Sequence, residues 1–238
     1  DLNEQGNRKV TTLYQTGYHT TEREIANRDK LKLFDVGASL EWNNNSYSIS
    51  WNNCITHFSD SLLPKLKYYN HYYPSGKKFY NQSVGFQGTF REKYVGGELA
   101  IDKNLNPAFI VLVEGEVLEE LQYSLLYRNY HKKYQSFRGK AYQQQGPLQK
   151  EKVMSSKWGI ALVKNCQIDV LLDLFKFPNM KYRSRFPSIG MDRSIDVRYN
   201  FHDNDFVLTY RTKMRQENYL NSEVGYQQRS IKYELLGF

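Results

Sequence analysis

From residue 33 onward, apolar side chains recur at every second position. In "FDVGASLEW", Phe34, Val36, Ala38, Leu40 and Trp42 fall on one side, and Asp35, Gly37, Ser39 and Glu41 on the other. A period of two predicts a strand with one apolar face. Asn43, Asn44 and Asn45 supply a turn, and "YSISW" resumes the alternation with Tyr47, Ile49 and Trp51 on one face. The pair predicts a β-hairpin.

The device repeats. "GGELAID" and "AFIVLVEGEV" flank "KNLNP", "KWGIALV" and "QIDVLLDLF" flank "KNC", and "RSIDVRYNF" and "DFVLTYRTK" flank "HDN". "LQYSLLYR", "QSVGFQGTF" and "RSIKYELLGF" add further strands, for roughly ten to twelve in all. One short helix is predicted in "TTEREIANRDK", where Thr21 as N-cap and Glu24 three residues later have capping-box spacing. The chain divides into an N-terminal strand, loop and helix over 1–33 and a run of antiparallel strands over 34–238. Short connections alternate with long ones near 59–81, 129–156 and 176–192.

Tight turns at one rim and long loops at the other, joining strands of about 9–11 residues, form the pattern of an up-and-down transmembrane β-barrel. The expected fold is therefore all-β, an antiparallel transmembrane barrel with one short helix near the N-terminus. A strand edge cannot lie open in hydrocarbon, so the chain is expected to be a segment of a larger barrel. No stretch of about 18 apolar residues predicts a membrane helix.

The polar side of the alternation carries opposed charges. Asp196, Arg198 and Asn200 share one strand face, and Arg211, Lys213 and Arg215 the equivalent face of the next. In "IDVLLDLFKFP", Asp169 and Asp173 also share a face, about 13 Å apart along the strand. Paired-carboxylate chemistry needs roughly 5–9.5 Å. Asp169, Asp173, Asp196, Arg198, Arg211 and Lys213 are thus expected to be lumen-facing structural charges.

Composition modifies this only in part. The 33 Lys and Arg exceed the 25 Asp and Glu, giving a formal charge of +8, but the basic residues are scattered among acids. The 20 Tyr and 13 Phe suit half-buried strands. "YRNYHKKYQSFRGK" interleaves bases with aromatics, and Tyr130, Lys132, Lys133, Tyr134 and Arg138 are candidate surface-loop contacts. Base stacking, lipid head groups or simple loop packing would each use such a stretch. Two cysteines, Cys54 and Cys166, make no disulfide framework. His19, His57, His71, His131 and His202 have no metal-ligand spacing, and "PSGKK" lacks the glycines of a phosphate loop. No catalytic, metal-binding or cofactor-binding residue is expected, and nucleic acid is not an expected partner.

Several blocks carry a resemblance. "GYHTTEREIANRD", "LLYRNYHKKYQSFRGKAY", "DLFKFPNMKYR" and "GMDRSIDVRY" resemble the outer-membrane barrel region of Bacteroidota proteins with N-terminal helix-hairpin-helix repeats. Gly17, Tyr18, His19, Leu126–Tyr130, Asp173, Phe175, Phe177 and Pro178 are the specific residues, and the repeats themselves are absent. The resemblance implies a non-enzymatic protein of the bacterial outer membrane with a structural, transport or export role in the cell envelope. Its partners would be outer-membrane lipid, lipopolysaccharide and the remaining strands of the barrel or another envelope protein. Leu236 and Phe238 fit the terminal pattern of such a strand. The alternatives are a soluble, secreted all-β ligand-binding module of carbohydrate type and a basic-aromatic nucleic-acid-binding protein.

Overall fold

Alternation, turn chemistry and a lack of long helical periods give an all-β chain. A computed structural model describes residues 9–13, 20–137, 151–163, 165–180, 187–202, 204–221 and 225–237. It contains β1 (Lys9–Val10), α1 (Glu22–Ala26), β2 (Leu33–Asn43), β3 (Tyr47–Leu62), β4 (Gly76–Phe90), β5 (Lys93–Asp102) and β6 (Pro107–Leu118). β7 (Leu121–Tyr130), β8 (Lys152–Val163), β9 (Cys166–Phe177), β10 (Ser188–Phe201), β11 (Asn204–Asn221) and β12 (Gly225–Gly237) follow.

The five-residue helix is held by its cap. Glu24 N donates to Thr21 Oγ1 at 3.3 Å, and Thr21 N donates to Glu24 Oε2 at 3.0 Å. These reciprocal bonds satisfy donors that a helix N-terminus leaves open. The two-residue turn between β4 and β5 has Arg91 and Glu92 at φ 47° and 66°. Positive φ at both central positions matches the right-handed twist of the flanking strands.

All twelve strands lie in one sheet. β3 to β12 are neighbours in chain order and antiparallel, β2 pairs antiparallel with β3, and β1 pairs in parallel with the end of β3. Connections β2–β3, β4–β5, β6–β7, β8–β9 and β10–β11 lie at one rim, and the longer ones, 63–75, 131–151 and 178–187, at the other.

The apolar core sits at the long-loop rim, on the face that also carries the charges. Phe58, Leu62 and Phe79 form one buried cluster, with Val10, Leu13, Leu31 and Phe137 packed on it. Ala108, Tyr130 and Tyr134 form a second, and Val153, Phe175 and Phe177 a third. The segment after β7 is tied across the sheet, since Gln135 N donates to Asp102 Oδ2 and Asn81 Nδ2 to Gln135 O. The Phe137 ring lies 4.6 Å from that of Phe79 and 5.1 Å from that of Phe58.

The expected transmembrane barrel is corrected here. Among the described residues, β12 pairs with β11 alone and β2 with β3 alone, so the sheet is open. Alternation fixes which residues share a face, but it does not encode whether the first and last strands meet. The sheet is also mixed rather than purely antiparallel, because of β1. Lipid and lipopolysaccharide contacts, remaining barrel strands and an outer-membrane location all presupposed a transmembrane barrel, and they are withdrawn with it. Among the described residues, no helix is long and apolar enough to cross a membrane.

Candidate functional site

The register places the charges side by side. Asp173 lies opposite Asp192 and Asp169 opposite Asp196 on β9 and β10, while Asp192 lies opposite Lys213 on β11. Directly opposed residues point to the same face. Asp169, Asp173, Asp196, Arg198, Arg211 and Lys213 therefore share one face of β9–β11. It is the polar face of an open sheet, not the lining of a barrel.

Within this row, bases neutralise buried acids. Asp192 is fully buried, and Arg211 grips both its oxygens, Nε at 2.9 Å and Nη2 at 2.7 Å. Lys213 Nζ adds a contact at 3.4 Å and stands 5.3 Å from the centre of the Phe175 ring. Burial alone would raise the Asp192 pKa, but the bonds and charge of Arg211 and the charge of Lys213 outweigh it and hold the carboxyl below its ordinary value. The same bond to Asp192 raises the Arg211 pKa. Asp169 meets Arg198 Nη2 at 3.2 Å and Lys157 Nζ at 3.9 Å, while Gln167 Nε2 donates to its other oxygen at 2.9 Å. Asp192 and Asp169 are thus each paired with bases within the fold.

The predicted loop contacts divide. Tyr130 and Tyr134 are buried together, whereas Lys132 and Lys133 are exposed. Arg138 lies outside the described residues, as do Gly17, Tyr18, His19 and Phe238. Burial is the main cause pushing the Tyr130 phenol up to about 12, with Arg128 opposing and Glu151 assisting. Arg128 and Glu151 form an ion pair of 2.7 Å in which both side chains have no solvent exposure. Sequence reasoning missed Arg128, Glu151 and Asp192. Arg128 sits in a basic, aromatic stretch that reads as surface, although its strand parity with Gln122 and Ser124 was the available signal.

A polar cleft opens on the same face near the short-turn rim. Its volume is about 400 Å³, and Tyr94, Glu114, Gln122, Lys157, Gln167 and Asp169 line it. It exists because glycines remove side chains from the pleat. Gly159 lies opposite both Gln122 and Asp169 and is part of the wall. Gly96 lets the Tyr94 ring lie against the backbone, since a Cβ there would come within 3.0 Å of Tyr94 Oη. Tyr94 Oη contacts Gln87 Oε1 at 3.3 Å, and Gln122 Nε2 donates to Glu116 Oε1 at 3.0 Å. The cleft therefore presents an aromatic ring together with amide, carboxylate and ammonium groups, on rigid strands. None of Tyr94, Gln122, Lys157 and Gln167 was among the expected site residues, because the cleft is assembled from five strands whose pairing no local pattern states.

Among the described residues, no group of three or more His, Cys, Asp and Glu side chains is arranged to hold a metal ion. No protein family, curated protein or solved structure matches the chain. The resemblance to the helix-hairpin-helix barrel proteins is thus corrected on two counts: no family matches, and the barrel it implied is an open sheet.

Proposed function

We propose that the chain is a non-catalytic, all-β ligand-binding module whose polar sheet face takes a polyhydroxylated ligand of the carbohydrate class. The observation that carries this reading is the cleft beside Gly96 and Gly159, with Tyr94, Gln122, Gln167 and Asp169 in its walls. Amides can donate to and accept from adjacent hydroxyls, carboxylates can accept from them, and an aromatic ring offers an apolar surface for the C–H face of a sugar. A few convergent polar groups on a largely preformed concave surface are the usual equipment of a small-ligand site. Asp169 in the cleft wall and Asp192 in the adjoining charged row are held by bases, which fits a scaffold role rather than acid–base turnover.

Calorimetric titration with neutral oligosaccharides tests the reading. Binding that weakens at least 10-fold in Gln122→Ala and Gln167→Ala, with folding unchanged by circular dichroism, supports it. Absence of binding to every glycan class tried, or affinity indifferent to both substitutions, overturns it.

A further inference from the structure

Basic residues that lie scattered along the chain are gathered by the fold at the long-loop rim. The connection between β3 and β4 and the start of β4 carry Lys65, Lys67, Lys77 and Lys78, with no Asp or Glu between residues 61 and 80. The connection between β5 and β6 adds Lys103, and the segment after β7 adds Lys132 and Lys133. All of these lysines are exposed. Two neighbouring acids are engaged within the fold. Asp102 is 2% exposed and accepts from Asn104 N and Asn106 N, and Glu151 is 0% exposed and paired with Arg128.

Contacts join the three connections into one surface. Lys103 Nζ donates to Lys78 O at 3.2 Å, Asn106 Nδ2 donates to Lys133 O at 3.4 Å, and Lys132 Nζ stands 5.7 Å from the centre of the Tyr72 ring. Aromatic rings stand among the charges, since residues 68–73 read "YYNHYY". Asn70 is buried and fixes this turn, its Oδ1 accepting from Lys67 N at 2.6 Å and its Nδ2 donating to Lys65 O at 2.7 Å. Tyr68 meets Tyr69 edge to face at 5.2 Å, and His71 meets Tyr72 in the same way at 5.0 Å. Tyr68 and Tyr73 are left 40% and 53% exposed.

We propose that this rim binds single-stranded nucleic acid, with phosphates on the lysines and bases on the tyrosine rings. Surfaces for single strands combine cations that track the backbone with aromatic side chains on which bases stack. Charge complementarity selects a polyanion, on a chain of formal charge +8. The rings select among polyanions. Four tyrosines and a histidine within residues 68–73 offer more flat surface than charge neutralisation needs, and an unpaired strand brings a flat base with every phosphate. A duplex keeps those faces in its own stack. The cleft lies near the opposite rim, so the proposal does not depend on what the cleft binds.

Fluorescence anisotropy of the full chain with a labelled oligothymidylate of about 15 nucleotides tests it. The expected result is saturable binding that weakens about 10–100-fold between roughly 50 mM and 200 mM salt, as about three to five phosphate contacts on a single strand require. Lys67→Gln combined with Lys132→Gln should weaken binding at least 10-fold at low salt and reduce the salt slope by about 1.4. Tyr68→Ala combined with Tyr73→Ala should weaken it at least 10-fold with the salt slope unchanged. Arg91→Gln combined with Lys93→Gln removes as many charges at the opposite rim and should leave the affinity within about 2-fold. All six side chains are exposed, so circular dichroism should show the strands retained. Three outcomes overturn the proposal: no saturable binding at low salt, equal losses in the two charge-removing variants, or a tyrosine pair whose loss is not felt while a sulfated polysaccharide of equal charge displaces the oligonucleotide. Oligosaccharide titration reads the cleft separately, so failure at one rim leaves the other reading in place.

Discussion

The Arg211 guanidinium lies across the Asp192 carboxylate with two nitrogens on two oxygens, at 2.9 Å and 2.7 Å, and ties β11 to β10. Asp192 is fully buried while the Arg211 side chain is 48% exposed, so the acid depends on the base more than the base on the acid. Arg211→Ala should cost about 2 kcal/mol in urea unfolding, because Lys213 remains at 3.4 Å to share the charge. Arg211→Lys should recover only part of that, since an ammonium cannot form the two-pronged contact. Equal stability of the three proteins would show that the pair contributes nothing.

The same pair sets an acid limit. The Asp192 pKa is lowered in the folded chain. Its contribution to stability is therefore fully present above the unfolded value, about 3.9, and is lost as pH falls through the folded value. Urea midpoints measured from pH 6 down to pH 2 should decline in the acid range, and less steeply in Asp192→Asn. Identical slopes in the two proteins would assign the acid transition to other carboxylates.

Arg128 and Glu151 anchor the start and end of the long connection between β7 and β8, and neither side chain touches water. Removing one charge strands the other, so Arg128→Met and Glu151→Leu should each cost about 3–5 kcal/mol. The double substitution should cost clearly less than the sum of the two. Additive losses in the thermodynamic cycle would mean that the two charges are not coupled.

Phe175 packs over Gly190, directly opposite it on β10. A Cβ at Gly190 would come within 2.5 Å of the ring and 2.6 Å of the Met214 carbonyl. Gly190→Ala should cost about 2 kcal/mol by overpacking. Phe175→Leu in that background should restore part of the loss, because only a ring reaches across the strand at that point. A neutral Gly190→Ala would show that the strands have room to separate.

These relationships differ in how far the chain announces them. "FDVGASLEW" fixes which of its residues share a face, because strand side chains alternate whatever the neighbours do. All-β architecture follows from many such stretches. What alternation leaves out is long-range pairing. Nothing local in "IDVLLDLFKFP" shows that Asp173 stands opposite Asp192 or that Asp169 stands opposite Asp196. Closure fails for the same reason, since an open sheet and a barrel have strands of identical pattern. The turn lengths suggested a ring, but they record only that neighbouring strands are antiparallel. Arg128 reads as a loop base because its partner, Glu151, lies 23 residues away. The cleft is least legible of all, since it is made by missing side chains at Gly96 and Gly159 as much as by those present.

Amide-resolved NMR of the chain during titration with a neutral oligosaccharide is the most direct test of a ligand-binding polar face. Such a face predicts saturable shifts concentrated at Gly96, Gln122, Gly159 and Gln167, with Val84 and Leu99 on the opposite face unmoved. Shifts confined to the apolar face, or none at ligand concentrations that saturate glycan-binding proteins generally, would contradict it.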